Sequence, residues 1–111
     1  MIDEHKFGSF VIDGKTYLGD IKLIGKKVRY WDRYSHKLKF EDLKELLEAN
    51  PEILIIGTGN SGYLEVPSEI KDHLLIGKIK LIISTNVNAI EKYNKALEEN
   101  KNVVAIFHAT C

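Results

Sequence analysis

Residues 53–62 read Ile53-Leu54-Ile55-Ile56-Gly57-Thr58-Gly59-Asn60-Ser61-Gly62, and this stretch decides the fold. Four consecutive aliphatic residues without polar alternation predict a strand that is covered on both faces, as in the centre of a layered α/β sheet. The strand runs into a glycine-rich turn. Because crevices beyond the carboxyl ends of such strands commonly bind ligands, the stretch predicts both a fold class and the location of a site.

The length and charge of the chain limit its possible functions. Its 111 residues predict a single domain spanning 1–111. Acidic and basic residues number 16 each, so no net charge directs the chain to nucleic acid or to a membrane surface. Because the apolar runs are short and Met1 precedes a polar segment, we expect a cytoplasmic protein without a signal peptide. A single cysteine, Cys111, excludes an internal disulfide.

The first third of the chain is predicted to form antiparallel strands. Short β-prone runs at 9–12 and 15–18 are joined by Asp13-Gly14, a dipeptide that favours a type I′ hairpin turn. Two further runs, at 20–24 and 27–31, are separated by Gly25-Lys26. The domain is therefore expected to carry an N-terminal antiparallel β-hairpin region.

The rest of the chain alternates between helices and aliphatic strands. The helical patterns cover 40–49, 67–75 and 86–99, and the strand patterns cover 53–56, 80–84 and 103–107. Strands that are joined by helices are usually parallel neighbours with right-handed crossovers. We therefore predict that these three strands are adjacent in one sheet of an α/β fold and mostly parallel.

The carboxyl ends of parallel strands face the same way, so three segments should meet along one edge of the sheet. These segments are the glycine turn, the Ser84-Thr85-Asn86 junction and the His108-Ala109-Thr110-Cys111 tail. We predict that Arg33, the backbone amides of Gly57 to Gly59, Thr85 and His108 border one concave site that accepts a small anion. The candidate site residues are Trp31, Arg33, Gly57, Thr58, Gly59, Thr85, Asn94 and His108.

Both arginines of the chain flank its one tryptophan. In an extended segment Arg29, Trp31 and Arg33 would share one face. One interpretation is an edge-strand face on which the arginine stems cover the indole. The other is that the Arg33 guanidinium holds an anion or a carboxylate, which a planar fork does better than lysine.

Two motifs suggest familiar chemistry, but their contexts argue against it. The turn at 57–62 spells G-x-G-x-x-G, yet an extended segment and Pro67 follow it where a dinucleotide site needs a helix. The lysine and hydroxyl of a phosphate-binding P-loop are also missing after Gly62. His108 and Cys111 offer at most two metal ligands, and a Cys-His pair needs further parts that the sequence does not show. We expect no metal, no cofactor and no assigned catalytic residue.

Asn94 stands inside the apolar stripe that the helix at 86–99 presents, which includes Val87, Ile90, Tyr93 and Leu97. A buried amide must find hydrogen-bond partners. We predict that Asn94 is buried and bonds to backbone groups near the edge where the strands end.

A set of residues and short motifs spread over nearly the whole chain carries a resemblance to known proteins. They are Phe7-Gly8, Ile12-Asp13-Gly14, Trp31, Arg33, His36, Pro51-Glu52, Leu54, Ile56-Gly57-Thr58-Gly59, Thr85, Tyr93-Asn94, His108 and Thr110-Cys111. With these residues the chain resembles a family of small α/β domains, first described from a methanogen hypothetical protein, that includes the adipogenesis-associated domain-containing protein and an assembly factor of mitochondrial respiratory complex I. The resemblance implies a three-layer α/β fold with a mixed central sheet and an added β-hairpin.

Two classes of function remain open. Similarity to an assembly factor implies association with another protein, although we expect no mitochondrial targeting segment and do not extend that specific role to this chain. We prefer a binding or adaptor module, whose partner is an unknown protein or a small anionic ligand. The alternative is a small enzyme that acts on an anionic metabolite, with Arg33 as the anion clamp and His108 as the acid or base.

Overall fold

A computed structural model describes residues 1–32 and 36–111 of the chain, and these residues form eight strands and three helices. In chain order the elements are β1 (Ile2–Lys6), β2 (Ser9–Ile12), β3 (Lys15–Leu18), β4 (Ile21–Ile24), β5 (Lys27–Tyr30), α1 (Phe40–Leu47), β6 (Ile53–Gly57), α2 (Ser68–Ile76), β7 (Lys80–Ser84), α3 (Asn86–Glu98) and β8 (Val103–Phe107). Arg33 lies outside the described residues, so the predictions made for it are not tested.

The central sheet has five strands in the order β5-β4-β8-β6-β7. β6 pairs in parallel with β7 on one side and with β8 on the other. β4 pairs antiparallel with β5 and with β8. The sheet is therefore mixed, and the prediction that the three aliphatic strands are adjacent and parallel is confirmed.

The central strands bury both faces, which explains their continuous aliphatic sequence. Successive residues of a strand point to opposite sides of the sheet. Ile55 and Phe107 belong to a core cluster with α3 and the N-terminal strands, whereas Leu54 and Ile106 belong to a second cluster with α1 and α2. The domain therefore has the three layers that the family resemblance implied.

β1, β2 and β3 form a separate antiparallel sheet. Asp13 (φ 49°) and Gly14 (φ 82°) both have positive φ, as the predicted type I′ turn requires. β1 was not predicted, because four of its five residues are polar and only Ile2 is buried. β1 forms because it can pair with β2.

Two local predictions are corrected. Trp31 lies beyond the end of β5 and is buried against α1 and α2, so it does not share an exposed face with Arg29. Arg29 instead pairs with Glu45 of α1 at 2.6 Å. The helix that begins at Phe40 ends at Leu47, two residues before the predicted end at Ala49.

Candidate functional site at the strand carboxyl ends

The glycine turn, the start of α3 and the C-terminal segment meet at the carboxyl ends of the parallel strands. We call this region the rim, and it comprises residues 57–62, 84–86 and 108–111. The Thr58 N–H donates to the Ser84 carbonyl oxygen at 2.9 Å, and the His108 N–H donates to the Gly57 carbonyl oxygen at 2.9 Å. The three segments that topology predicted to converge are therefore in direct contact.

Two glycines allow the rim to pack this closely. Gly59 has φ +101°, which side-chain-bearing residues rarely adopt, and a Cβ there would collide with the backbone of Cys111. A Cβ on Gly57 would collide with the Phe107 ring and would lie 2.6 Å from Asn86 Oδ1. The glycines are thus explained by close approach within the protein.

Asn86 is the polar centre of the rim. Its side chain is fully buried at the first residue of α3. Asn86 Oδ1 accepts a hydrogen bond from the Gly59 N–H at 3.1 Å, and Nδ2 donates to the His108 carbonyl oxygen at 2.7 Å. The Asn86 N–H also donates to the Gly59 carbonyl oxygen at 3.1 Å. One side chain therefore joins the turn of β6 to the residue after β8.

Asn86 was not predicted, because the buried stripe of α3 lies about one residue closer to the N-terminus of the helix than the predicted stripe. The buried residues of the helix are Asn86, Ala89, Tyr93 and Ala96, and Val87 is 79% exposed. Small alanines let the helix approach the sheet closely. Had Ala89 and Ala96 been counted as core positions, the same spacing would have extended back to Asn86.

His108 follows β8 and is fully buried. Its Nδ1 lies 3.0 Å from Oδ1 of Asp20, which directly precedes β4. The same carboxylate oxygen accepts the Ala109 N–H at 2.6 Å. Asp20 therefore holds both the ring and the backbone of the C-terminal segment. Sequence reasoning missed Asp20 because 88 residues separate it from His108.

Two further groups contact the other side of the His108 ring. Nε2 lies 3.4 Å from the Thr110 hydroxyl. The exposed ring of His36 meets the His108 ring edge to face, with ring centroids 5.2 Å apart. With Asp20 bound at Nδ1, the ring nitrogen Nε2 faces the hydroxyl of Thr110.

His5 of β1 connects the N-terminal sheet to the rim. Its Nδ1 lies 2.8 Å from the Ser9 carbonyl oxygen. Nε2 lies 2.8 Å from Asn60 Oδ1 and 3.2 Å from Asn86 Nδ2. The ring stacks on Phe10 at 4.4 Å between centroids. Two sheets and a helix are thus linked at one point.

Backbone amides of the glycine turn have acceptors within the chain. Of the amides predicted to bind an anion, the Thr58 N–H donates to the Ser84 carbonyl oxygen at 2.9 Å and the Gly59 N–H donates to Asn86 Oδ1 at 3.1 Å. The next amides bond to the C-terminal segment: the Asn60 N–H donates to the Thr110 carbonyl oxygen at 2.7 Å, and the N–H groups of Ser61 and Tyr63 donate to the Cys111 oxygen at 3.0 Å.

The other predicted site residues lie in different places. Thr58 is buried at the rim, and its hydroxyl donates to the Ser84 carbonyl oxygen at 3.1 Å. Thr85 is exposed and precedes α3 without a side-chain capping bond. Trp31 belongs to the core cluster on the α1 and α2 side.

Asn94 bonds to backbone, as predicted, but the predicted location is wrong. Its Oδ1 accepts the Ile2 N–H and its Nδ2 donates to the Ile2 carbonyl oxygen, both at 2.9 Å. These groups belong to β1, two helical turns along α3 from Asn86. The half-buried amide of Asn94 therefore fastens the N-terminal sheet to the helix and takes no part in the rim.

Among residues 1–32 and 36–111, no group of three or more His, Cys, Asp and Glu side chains could hold a metal ion. No helix in the same residues is long and apolar enough to span a membrane. The rim contains the His108 imidazole, which Asp20 orients and which lies next to the Thr110 hydroxyl.

Comparison with known proteins identifies the family. Residues 2–108 match the family described as "Protein of unknown function (DUF498/DUF598)". The solved structure of MT938 is 30% identical, with 100% of this chain and 98% of that chain covered and a TM-score of 0.85. The conserved hypothetical protein PH1505 from Pyrococcus horikoshii is 31% identical, with 100% and 99% covered and a TM-score of 0.82.

A third similar structure is described as an outer membrane protein from Bartonella henselae. It is 26% identical, with 99% of this chain and 94% of that chain covered and a TM-score of 0.84. All three matches extend over essentially the whole α/β domain, including the N-terminal sheet. The chain therefore belongs to the DUF498/DUF598 family of proteins of unknown function.

Proposed function

We propose that the chain is a protein-binding module that accepts an extended segment of a partner protein along the outer edge of β7. The observation that carries the proposal is that β7 is an edge strand with a continuous aliphatic sequence. β7 ends the five-stranded sheet, and after Lys80 it continues as Leu81, Ile82 and Ile83 without a proline, a bulge or a second charge. Natural edge strands usually carry such features, which prevent pairing with another chain.

The opposite edge of the sheet provides a contrast. β5 ends the sheet on that side and alternates Lys27 and Arg29 with Val28 and Tyr30. Charges at alternate positions are a common protection of an edge strand. The two edges of one sheet therefore differ, and β7 is the edge that favours association.

The peptide groups of β7 that face outward can be identified. The Lys80 N–H donates to the Glu52 carbonyl oxygen at 3.0 Å, and the Ser84 carbonyl oxygen accepts the Thr58 N–H at 2.9 Å. Alternate residues of a strand bond to the same side, so the peptide groups of Leu81 and Ile83 point away from β6. Within the described part of the chain no strand pairs with that side. A partner segment would bond to these groups as a sixth strand.

A surface cleft of about 520 Å³ beside the strand supports this proposal. It is lined by Leu75, which is 75% exposed, and by Ile79, Leu81 and Ile83. Lys71 and Lys80 stand at its margin with one acid, Asp72. We infer a partner segment with apolar residues at alternate positions and an acidic residue at each end.

A synthetic peptide tests the proposal directly. The probe is a capped strand of three aliphatic residues flanked by glutamates, added to 15N-labelled protein. We expect shifts and slowed hydrogen exchange at the amides of Leu81 and Ile83. The same peptide with N-methylated central residues is the control, and it should not bind because it cannot donate to the edge.

Two variants sharpen the test. Leu75→Glu should weaken peptide binding roughly tenfold, because it replaces apolar surface in the cleft. Val87→Glu places the same charge on an equally exposed apolar site of α3 and should leave binding unchanged. Equal binding of both peptides would contradict the proposal. Concentration-dependent shifts of the β7 amides without peptide would assign the edge to a second copy of the chain instead.

A small anion at the rim is a further part of the proposed binding role. It would have to replace the Cys111 oxygen as the acceptor for the Ser61 and Tyr63 amides. Titration with phosphate, sulfate and small carboxylates, followed by amide shifts at both residues, tests this possibility. No response at millimolar concentration would reject the anion site.

The contacts of His108 favour catalysis as the second candidate function. Asp20, His108 and Thr110 form a chain of contacts from a carboxylate through an imidazole to a hydroxyl. In many hydrolases such a carboxylate orients an imidazole, which in turn activates the hydroxyl as a nucleophile. A substrate would reach the buried ring only after a covering group such as His36 moves. Hydrolysis of 4-nitrophenyl acetate and 4-nitrophenyl phosphate provides the assay. Catalysis is rejected if His108→Gln and Thr110→Val leave the measured rates unchanged.

A further inference from the structure

A second concave site lies at the opposite end of the central sheet from the rim. β4 pairs with β8 so that Ile21 opposes Phe107 near the rim, whereas Ile24 opposes Val104 at the far end. The cavity lies beyond Ile24 and has a volume of about 400 Å³. The turn after β2, the turn after β4 and one face of α3 enclose it.

The walls of this cavity are mainly apolar. Ile12, Leu23, Val28 and Leu97 line it, and Tyr93 contributes a phenol. A cavity with apolar walls and a few polar groups is the usual form of a small-molecule site, and this volume lies within the range of such sites. The cavity is distinct from the cleft beside β7, with which it shares no lining residue.

The Tyr93 hydroxyl is an unpartnered polar group at this cavity. The residue is 3% exposed, and its phenol oxygen makes no hydrogen bond within the described residues. Among residues 1–32 and 36–111, Trp31 Nε1 is the only side-chain nitrogen or oxygen atom that is both sealed from solvent and without a hydrogen-bond partner. The Tyr93 oxygen is therefore not sealed and retains access to the cavity. Burial, together with the charge of Asp13, raises the pKa of Tyr93 to about 12, so the phenol keeps its hydrogen beyond the pH at which an ordinary tyrosine loses it.

The charged groups around the cavity favour an anion over a cation. Lys26 lies in the turn between β4 and β5, Lys27 begins β5, and both are exposed. Asp13 is the one acid that lines the cavity, and its Oδ1 lies 3.1 Å from the Met1 nitrogen. The carboxylate of Asp13 is thus paired, whereas the two lysines make no ion pair within the described residues.

We propose that this cavity binds a small monocarboxylate with an apolar body. The body would lie against Leu23, Val28 and Leu97, and the carboxylate would accept a hydrogen bond from the Tyr93 hydroxyl and face Lys26 and Lys27. Medium-chain fatty acids and aryl carboxylates have this chemistry. The inference does not depend on the association proposed for β7.

Octanoate is the probe and octanol is its neutral counterpart. Titrated into 15N-labelled protein at millimolar concentration, octanoate should shift the amides of Leu23, Val28, Tyr93 and Leu97 and reach saturation. Octanol should bind more weakly, because it lacks the charge that faces the lysines. The absence of saturable shifts at these residues, or equal affinity for the two probes, would overturn the proposal.

Two variants test the polar contacts without altering the core. Tyr93→Phe keeps the ring and removes the hydroxyl, so octanoate affinity should fall roughly tenfold. The double variant Lys26→Gln and Lys27→Gln should also weaken octanoate, with little effect on octanol. Tyr63→Phe is the matched control, because Tyr63 is exposed next to the rim, at the other end of the sheet, and its replacement should not alter binding. If Tyr93→Phe binds octanoate as tightly as the parent chain, the assigned carboxylate position is wrong.

Discussion

At the residue scale, two asparagines of α3 hold the polar connections of this domain together. Asn86 bonds to the backbone on both sides of the rim, and Asn94 bonds to both backbone groups of Ile2. An asparagine can donate and accept at once, which suits a position between two backbone segments. Replacing either amide leaves peptide groups without partners in places that water reaches poorly.

We expect Asn86→Leu to lower the free energy of unfolding by about 3 kcal/mol, because the Gly59 N–H and the His108 carbonyl lose their partner. Urea denaturation followed by circular dichroism measures the loss. Asn88→Leu is the control, because Asn88 is exposed on the same helix and its replacement should change stability little. Equal stability of the two variants would show that the buried amide contributes nothing.

The raised pKa of Tyr93 predicts a loss of stability in alkaline solution. Burial and the charge of Asp13 raise this pKa from its ordinary value of 10.0 to about 12. Folding favours the protonated form of Tyr93. Its contribution to the free energy of unfolding is therefore complete below pH 10 and is lost as the pH rises towards 12. By pH 11.5 the parent chain should have lost about 2 kcal/mol relative to Tyr93→Phe. Urea denaturation of both proteins at pH 9 and pH 11.5 provides the comparison, and parallel losses would contradict it.

Some residues of the rim could be predicted from sequence and others could not. Thr58, Gly59 and His108 lie at the rim, a position that the sequence indicates because each follows or lies near the end of an aliphatic strand. Asp20 could not be found in this way, because its link to His108 depends on the pairing of β4 with β8. Such a pairing joins distant parts of the chain and leaves no local pattern.

At the scale of elements, the glycine turn and the C-terminal segment form one unit. The turn amides bond to Thr110 and Cys111, and Gly59 leaves room for the Cys111 backbone. Neither segment has regular secondary structure. Each is held by the other and by Asn86, so a change in one should release both.

Gly59→Ala should destabilise the domain by about 3 kcal/mol, since it combines a positive φ with a collision against the Cys111 backbone. Gly62→Ala is the matched control: Gly62 also has a positive φ, but its Cβ would meet ordinary contacts at 3.5 Å and 3.7 Å. We expect a smaller loss for Gly62→Ala, and faster amide exchange at Asn60, Ser61 and Tyr63 only in Gly59→Ala. Equal losses would show that the contact with Cys111 is unimportant.

The sequence predicted the central elements better than the peripheral ones. The strands β6, β7 and β8 were recognised because burial on both faces requires an aliphatic run. β1 was missed because its polar residues face solvent and its structure depends on pairing with β2. The local amino-acid composition indicates whether a strand is buried, but it indicates little about which exposed strands pair.

At the scale of the whole molecule, the two sheets differ in how deeply they are buried. Every residue of β8 is buried, whereas three of the four residues of β3 are exposed. The N-terminal sheet contacts the rest of the domain mainly through Ile2, Phe10 and Ile12. The two sheets are therefore expected to open at different free energies.

Native-state hydrogen exchange should resolve this difference. The hydrogen-bonded amides of β6 and β8 should exchange only through global unfolding, and those of β3 should exchange at a free energy lower by a few kcal/mol. Asn94→Leu should lower the protection of β1 as well, because it removes the link to α3. Identical exchange free energies in β3 and β8 would mean that the domain opens as a single unit.

The position of β8 has a consequence for synthesis on the ribosome. β8 is the last strand in the chain, yet it lies between β4 and β6. Until residues 103–107 leave the exit tunnel, β4 and β6 have no strand between them, and the backbone groups that bond to β8 remain unpaired. The sheet therefore cannot be completed strand by strand during synthesis, and β4 and β6 remain without their shared neighbour until residues 103–107 emerge.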